Sequence, residues 1–429
     1  MRQILVLGGG AAGLAAALAA AQTGAGAVQV TVAERNPRPG KKLLATGNGR
    51  CNLDNLSIGP ERYFTADPAA LQRLLQAVDA ADPLGWFHRL GLMTRADETG
   101  RVYPYSNQAA DLVSLLERQL ARWQVQLLTG CTVRTLAQSR GGYAVQLDTE
   151  QGPRTLHADA VICAMGGAAG PQFGTDGFGV RFAQQCGGRV EPVYPCLTAL
   201  QTAHPRKELA GIRAKAAASL LDGSRLLARE EGEVQFTDYG LSGICIMQLS
   251  GLLAPQRGPK HPAVELDLFP SISGPELARQ MADRVPGLPG DTPADFWLGL
   301  LHPKLGRCLW QQARLPDKLP APSDPAWQTL AHTAKHWRFE AVTPCGWKQA
   351  QTTGGGLALA ELEPESFAFR GCPGLYFVGE TLDCAGTCGG FNLHWAFGSG
   401  LVAGRHAARG AARPKSRRKR RPRGSALRR

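Results

Sequence analysis

Gly374-Leu-Tyr-Phe-Val-Gly-Glu380, followed by Gly389-Gly-Phe-Asn-Leu-His-Trp-Ala-Phe-Gly-Ser-Gly400, reads as a short buried strand feeding a glycine-led helix. The same device opens the chain. There Ile4-Leu-Val-Leu7 runs into Gly8-Gly-Gly-Ala-Ala-Gly13, so two strand-to-helix turns stand at opposite ends of 429 residues. Gly8, Gly10 and Gly13 fit G-x-G-x-x-G. The first glycine permits the tight turn, the second lets a diphosphate approach the backbone, and the third lets helix pack on strand. Ala11 and Ala12 begin the helix whose free N–H groups and dipole attract the anion.

A second apolar strand, residues 28–32, leads to Glu34 and Arg35, about 20 residues past the glycines, where an acidic residue accepts a ribose hydroxyl. These signals predict an α/β fold with a Rossmann-like domain built from two chain segments. In flavoproteins of this plan the first helix holds the pyrophosphate of FAD and the last faces the isoalloxazine ring. The chain is therefore expected to clamp one FAD between its two ends.

A secretory signal is the rival reading of the N-terminus, because Arg2 precedes an alanine-rich apolar run. Three glycines at fingerprint spacing interrupt that run, and its removal would delete the first strand. No other apolar stretch approaches the roughly 18 residues that span a bilayer, so a cytoplasmic protein is expected. The length suits two or three domains, and 44% hydrophobic residues suffice for buried cores. The 11 cysteines form no C-x-x-C pair and no zinc-spaced set, which excludes a disulfide scaffold and gives no metal site. Net charge is +13, yet residues 413–429 hold ten Lys/Arg and no acid, which leaves +3 for everything before them. Such a basic tail (411–429) is expected to be disordered and to suit polyanions without reading sequence; a merely solubilising tail is the other reading.

Residues 69–90 and 108–123 carry apolar side chains at helical spacing. Residues 158–167 form a buried strand ending in glycines, where the chain returns toward the cofactor through Gly166. Alternating stretches at 216–221, 233–236 and 263–268 predict antiparallel strands, and 273–325 is Pro-rich with helical patches. The expected organisation is a first FAD-binding segment at 1–189, an inserted β-barrel and helical substrate-side unit at 190–340, and a second FAD-binding segment at 341–410.

The motifs resemble the BaiN/RdsA family of FAD-dependent oxidoreductases over roughly residues 4 to 405. The blocks, in order, are Gly8 to Gly13; Gly40-Lys-Lys-Leu-Leu-Ala-Thr-Gly-Asn-Gly-Arg-Cys-Asn52; Arg101-Val-Tyr-Pro104; Met165-Gly-Gly167; Phe236-Thr-Asp-Tyr-Gly-Leu-Ser-Gly243; Thr353-Gly-Gly-Gly356; and Gly374 to Gly400. The resemblance implies an FAD domain interrupted by a barrel and helices, with NADH or NADPH as reductant. It also implies reduction of a carbon–carbon double bond, either of uridine in ribosomal RNA, giving dihydrouridine, or of a small enone or steroid-like acid. Three positions depart from the family pattern. Ile244 stands where Pro is common, compatible with altered packing alone; Asp238 stands where His or Glu occurs, and His394 replaces a usual Gln, either of which alters the substrate pocket.

A reduced flavin carries negative charge near N1 and the C2 carbonyl, which the last helix N-terminus stabilises. Gly379, Glu380, Gly389, Gly390, Phe391, Asn392 and Leu393 are accordingly expected around the cofactor, Asn392 because an amide in an apolar helix needs a partner. Lys42 and Arg50 read as phosphate or cofactor contacts, with Asn48 and Gly49 beside them. Hydride delivery to one alkene carbon needs a proton at the other. Cys51, its pKa lowered by neighbouring Arg50, is the first candidate donor, against the alternative of a buried cysteine beside the diphosphate. Asp238 and His394 are the other two. The primary expectation is dihydrouridine formation in ribosomal RNA. The alternatives are reduction of a small enone, a non-catalytic FAD-containing RNA-binding factor, and a disulfide reductase using Cys384 and Cys388.

Overall fold

A computed structural model describes residues 1–139 and 141–410. The basic run expected to be a disordered tail lies outside the described residues. At the centre is a five-stranded parallel sheet in the order Leu375–Phe377, Ala160–Cys163, Arg2–Leu7, Val28–Ala33, Gln126–Leu128. Its central stretches are apolar runs, as a sheet covered on both faces requires: residues 4–7, Ala160–Cys163 and Leu375–Phe377 are buried throughout. The opening strand lies in the middle, and the strand from the far end of the chain forms one edge, pairing Val161 with Leu375.

The helices that follow these two strands, Ala11–Gly24 and Phe391–Arg409, pack directly on each other. A Cβ on Gly400 would collide with the carbonyl oxygen of Ala12, and one on Gly404 with that of Ala16. Absent side chains thus let the two backbones touch. Arg2 fastens the contact by donating Nε to the Ala407 carbonyl at 2.9 Å. The apolar stretch at 69–90 forms two helices, Pro68–Ala80 and Pro83–Arg89, because Pro83 cannot continue the first and Asp82 caps the second through Gly85 N–H at 2.9 Å. A three-stranded antiparallel sheet, Thr132–Ser139, Gly142–Thr149 and Gly152–Ala158, precedes the return strand and had no counterpart in the sequence reading.

Val190–Cys196 pairs with Thr352–Leu357 where the chain leaves and re-enters this body. Between them, seven antiparallel strands run in the order Trp337–Glu340, Pro262–Asp267, Arg213–Asp222, Arg225–Phe236, Gly240–Ser242, Leu200–Gln201, Thr343–Pro344. Laid flat, the two edge strands would stand about 29 Å apart, yet the link between Glu340 and Thr343 reaches at most about 11 Å. The sheet therefore curls into a barrel. Helices Gly274–Arg284, Pro293–Trp297, Pro303–Gln312 and Ala326–Lys335 cover it around a second core containing Trp297, Trp310 and Trp327. Among the described residues, no helix is long and apolar enough to cross a membrane.

Candidate active site

Both glycine turns open into one cleft of about 570 Å³, within the range of small-molecule sites. At the first turn the three glycines have separate reasons. Gly8 has φ +103°, and a Cβ there would strike the Ala164 carbonyl; a Cβ on Gly13 would strike the Gly8 carbonyl. At Gly10 a Cβ would meet nothing within 4 Å. No described residue fills that space, which leaves room for a ligand to approach the backbone at the turn. Neither terminal helix has a side-chain N-cap, so the first-turn N–H groups of both, at Ala11 and Ala12 and again after Gly390, are left without a capping side chain. Gly390, at φ +103°, lies where a Cβ would strike the Asp54 carbonyl, which lets the loop into the last helix run close over the short strand Asp54–Asn55.

Glu34 is 7% exposed at the end of the second strand. Its Oε1 accepts from Asn36 N–H and Nδ2, each at 2.7 Å, and its Oε2 from Gly9 N–H at 2.6 Å. Oε2 keeps a lone pair for one further donor, the part of a ribose hydroxyl. Arg35 also lines the cleft and donates to the Gly174 carbonyl at 2.8 Å and to Asp176 at 3.0 Å. Lys42, read as a phosphate or cofactor contact, lines the cleft, where it pairs with Glu380 at 2.6 Å and donates to the Ala169 carbonyl at 3.1 Å. Glu380 in turn accepts from Thr353 N–H and Oγ1 at 3.0 and 2.8 Å. This pair ties the first chain segment to the last along the cleft. Asn48, Arg50 and Gly166 line the cleft, and the Arg50 guanidinium lies 5.1 Å from the Tyr103 ring centre.

At the other end, Gly389, Gly390, Asn392, Leu393 and Trp395 line the cleft. Asn392 has found its partner in the backbone: Oδ1 accepts from Gly386 N–H and Nδ2 donates to the Gly386 carbonyl, both at 2.8 Å. It therefore shapes the loop ahead of the helix. Gly49, Gly379 and Phe391 lie outside the lining. Gly379 supports the helix instead, donating N–H to Ser399 at 3.0 Å and accepting from Trp395 Nε1 at 3.2 Å. Phe391 packs edge-on against Tyr63 with ring centres 6.2 Å apart.

The three candidate proton donors do not converge on the cleft. Cys51 is fully buried, and its burial, only partly opposed by a hydrogen bond with Thr46, pushes the thiol up to about 12, opposite to the lowering expected from Arg50. Asp238 is exposed in the turn before Gly240–Ser242 and does not reach the lining. His394 is 5% exposed, its Nδ1 2.8 Å from Asp54 Oδ1 and its Nε2 3.0 Å from Asp79 Oδ1. Burial works against its charge, but the two carboxylates outweigh that and raise its pKa to about 9. It is a buried cation tying the last helix to two other elements. Cys384 and Cys388 do line the cleft, as free thiols; burial raises Cys384 well above its usual value and Cys388 to about 12. Ile244, read as a packing change, lines the cleft and is 46% exposed.

Two residues missed in the sequence reading complete the far end. Among the described residues, Asn52 Oδ1 and Thr387 Oγ1 are buried without a hydrogen-bond partner, and both residues line the cleft. Buried orphans of this kind call for a partner from outside the chain. The pyrimidine edge of a flavin alternates carbonyl acceptors with an N–H donor, and an amide oxygen, a hydroxyl and helix-start N–H groups supply the complementary set. With the open space at Gly10 and the lone pair on Glu34, the residues present fit FAD along the whole cleft.

Comparison with known proteins agrees. The chain is 36% identical over 413 residues to a 3-dehydro-bile acid delta(4,6)-reductase of Clostridium scindens, covering 95% of this chain and 99% of that one. It is 26% identical over 400 residues to a ribosomal RNA dihydrouridine synthase of Escherichia coli, covering 92% and 95%. In fold it resembles 3-ketosteroid delta1-dehydrogenase from Sterolibacterium denitrificans, at 13% identity and a TM-score of 0.51 over 95% of this chain and 100% of that one. Residues 2–406 match the family described as the HI0933-like protein Rossmann domain, and the chain belongs to that family of FAD-binding flavoprotein oxidoreductases.

Proposed function

We propose that the protein uses FAD, reduced by NADH or NADPH, to saturate a carbon–carbon double bond conjugated to a carbonyl in a flat apolar substrate of the steroid or bile-acid type. The observation that carries this reading is the bare apolar wall on the substrate side. Ile244 is 46% exposed and Met247 half-buried, and both line the cleft, as does the buried Leu197. Covering such a wall is worth about 25 cal/mol per Å² of apolar surface, a gain open to a fused hydrocarbon and largely closed to a polar base. The 36% identity to a bile-acid reductase supports the same substrate class.

FAD, when bound, supplies the hydride. The chain's own part is to hold and orient. The N–H groups of the first helix and Glu34 hold the diphosphate and ribose, while Asn52, Thr387 and the start of the last helix fix the ring edge. The apolar wall aligns the substrate and excludes water from that face. Cys51, Asp238 and His394 all lie outside the lining, so none of the three is placed to give the second carbon its proton.

Uridine reduction in ribosomal RNA is the second reading, supported by the 26% identity to dihydrouridine synthases and by the ten cationic residues of 413–429. Anaerobic oxidation of NADPH and NADH by purified holoprotein separates them. A 4-en-3-one steroid is expected to stimulate turnover and unmodified ribosomal RNA fragments are not. Stimulation by RNA alone overturns the proposal, and deletion of 413–429 should then weaken RNA binding and flatten its salt dependence. A bound flavin that neither nucleotide bleaches would mark a non-catalytic protein.

A further inference from the structure

Arg101 is a cation at the cleft whose side chain makes no ion pair within 4.0 Å among the described residues, although its charge helps hold the nearby Asp97 carboxyl below its usual value. Strand Arg101–Pro104 alternates, so Val102 is buried at 2% exposure while Arg101 and Tyr103 line the cleft. The main-chain N–H of Arg101 goes to Asp97 Oδ1 at 3.0 Å. Arg101 as a whole residue is half-buried, and among the described residues its guanidinium has no carboxylate within 4.0 Å. The other half-buried cations of the lining are paired: Lys42 with Glu380 at 2.6 Å and Arg35 with Asp176 at 3.0 Å. A guanidinium that lines the cleft without a direct ion-pair partner is free to take one from outside the chain.

Its position says which part of the cleft that partner occupies. Arg101 pairs in register with Asn55, whose Nδ2 donates to the Gly389 carbonyl at 2.7 Å, so this strand is fastened to the start of the last helix. Burial drives the Cys388 thiol up to about 12, and the Arg101 charge pulls against it, which places that charge at the same end. Ile244 and Met247 wall the same cleft from the inserted unit.

We propose that Arg101 seats the electron-rich oxygen of the substrate, so that the site takes a flat apolar molecule ending in an oxygen that carries, or gathers, negative charge. This rests on the reductase reading above and names its recognition element. Reduction of a conjugated double bond shifts electron density onto the carbonyl oxygen, and a guanidinium meets it with two N–H groups in one plane.

The test is binding rather than turnover. FAD-loaded wild type, R101Q and R101K are titrated with 2-naphthol at several pH values while the flavin spectrum is recorded. Flavin content and melting temperature confirm that each variant is intact. Wild type is expected to bind the naphtholate, with a long-wavelength band from its stacking on the flavin. R101Q should bind about ten- to a hundredfold more weakly, the range for hydrogen bonds to charged groups, with R101K in between. If R101Q loses FAD, the R101K comparison carries the test. Equal affinity in wild type and variant overturns the proposal, and so does a wild type that shows no naphtholate band. A shifted flavin midpoint potential with unchanged naphthol affinity would give the guanidinium to the cofactor and overturn it as well. Arg101-dependent binding without enone turnover would leave this inference standing and sink the reductase reading instead.

Discussion

His394 illustrates how a residue's partners decide its role. Held between Asp54 and Asp79, its pKa rises to about 9, from about 6.5 in the unfolded chain. A raised pKa means that the stabilisation is complete below pH 6.5 and disappears as pH climbs through 9, on the order of 3 kcal/mol in all. Denaturation of wild type and H394Q should therefore show a stability gap that is wide at pH 6 and much narrower at pH 9.5; a constant gap would mean that the imidazole is neutral throughout. H394L, which strands the buried Asp54 carboxylate, should cost about 3 kcal/mol at neutral pH. Gly10 and Gly13 form a contrasting pair in the same motif. G10V places a side chain in open space, so the apoprotein should melt as wild type does while FAD affinity collapses. G13V drives a side chain into the Gly8 carbonyl and should destabilise the apoprotein itself. Equal melting of the two variants would contradict this division of labour.

At the scale of elements, the crossing of helices Ala11–Gly24 and Phe391–Arg409 sets the distance between the two halves of the cofactor site. Gly400 and Gly404 make that distance short by lacking side chains against Ala12 and Ala16. G404V should force the helices apart, lowering stability by about 1–3 kcal/mol and weakening FAD binding although residue 404 touches no part of the cleft; unchanged FAD affinity would show that the two helix starts are positioned independently. The strand-to-helix turns were legible in the sequence because backbone geometry there admits few residue types. The side-chain chemistry was less so. Arg50 adjoins Cys51 in sequence, but one is exposed and the other fully buried, so adjacency said nothing about the thiol. His394 follows Leu393 by one helical step, about 100° around the axis, enough to carry it off the cleft and onto two carboxylates. Asn52 and Thr387 carried no local mark of function, because what orphans them is a meeting of segments more than 300 residues apart in sequence, as Asn55 and Gly389 show with a separation of 334.

For the molecule as a whole, the parallel sheet carries both glycine turns of the cleft, and the inserted unit brings Ile244 and Met247 to it. The apolar alternation of the barrel strands could be read from the sequence, whereas the curling of the sheet depends on one short link at residues 341–342, and the apolar wall of the cleft on Ile244 and Met247, which stand on the helix Ile244–Ser250 after the strand Gly240–Ser242. The central claim is that the two ends of the chain converge on one FAD. The most direct measurement is the absorption spectrum of the purified protein, with the released cofactor counted after denaturation. A yellow protein that releases one FAD per chain, and a G10V variant that is folded but colourless, are the expected results. A colourless wild-type protein that takes up no added FAD would contradict the account.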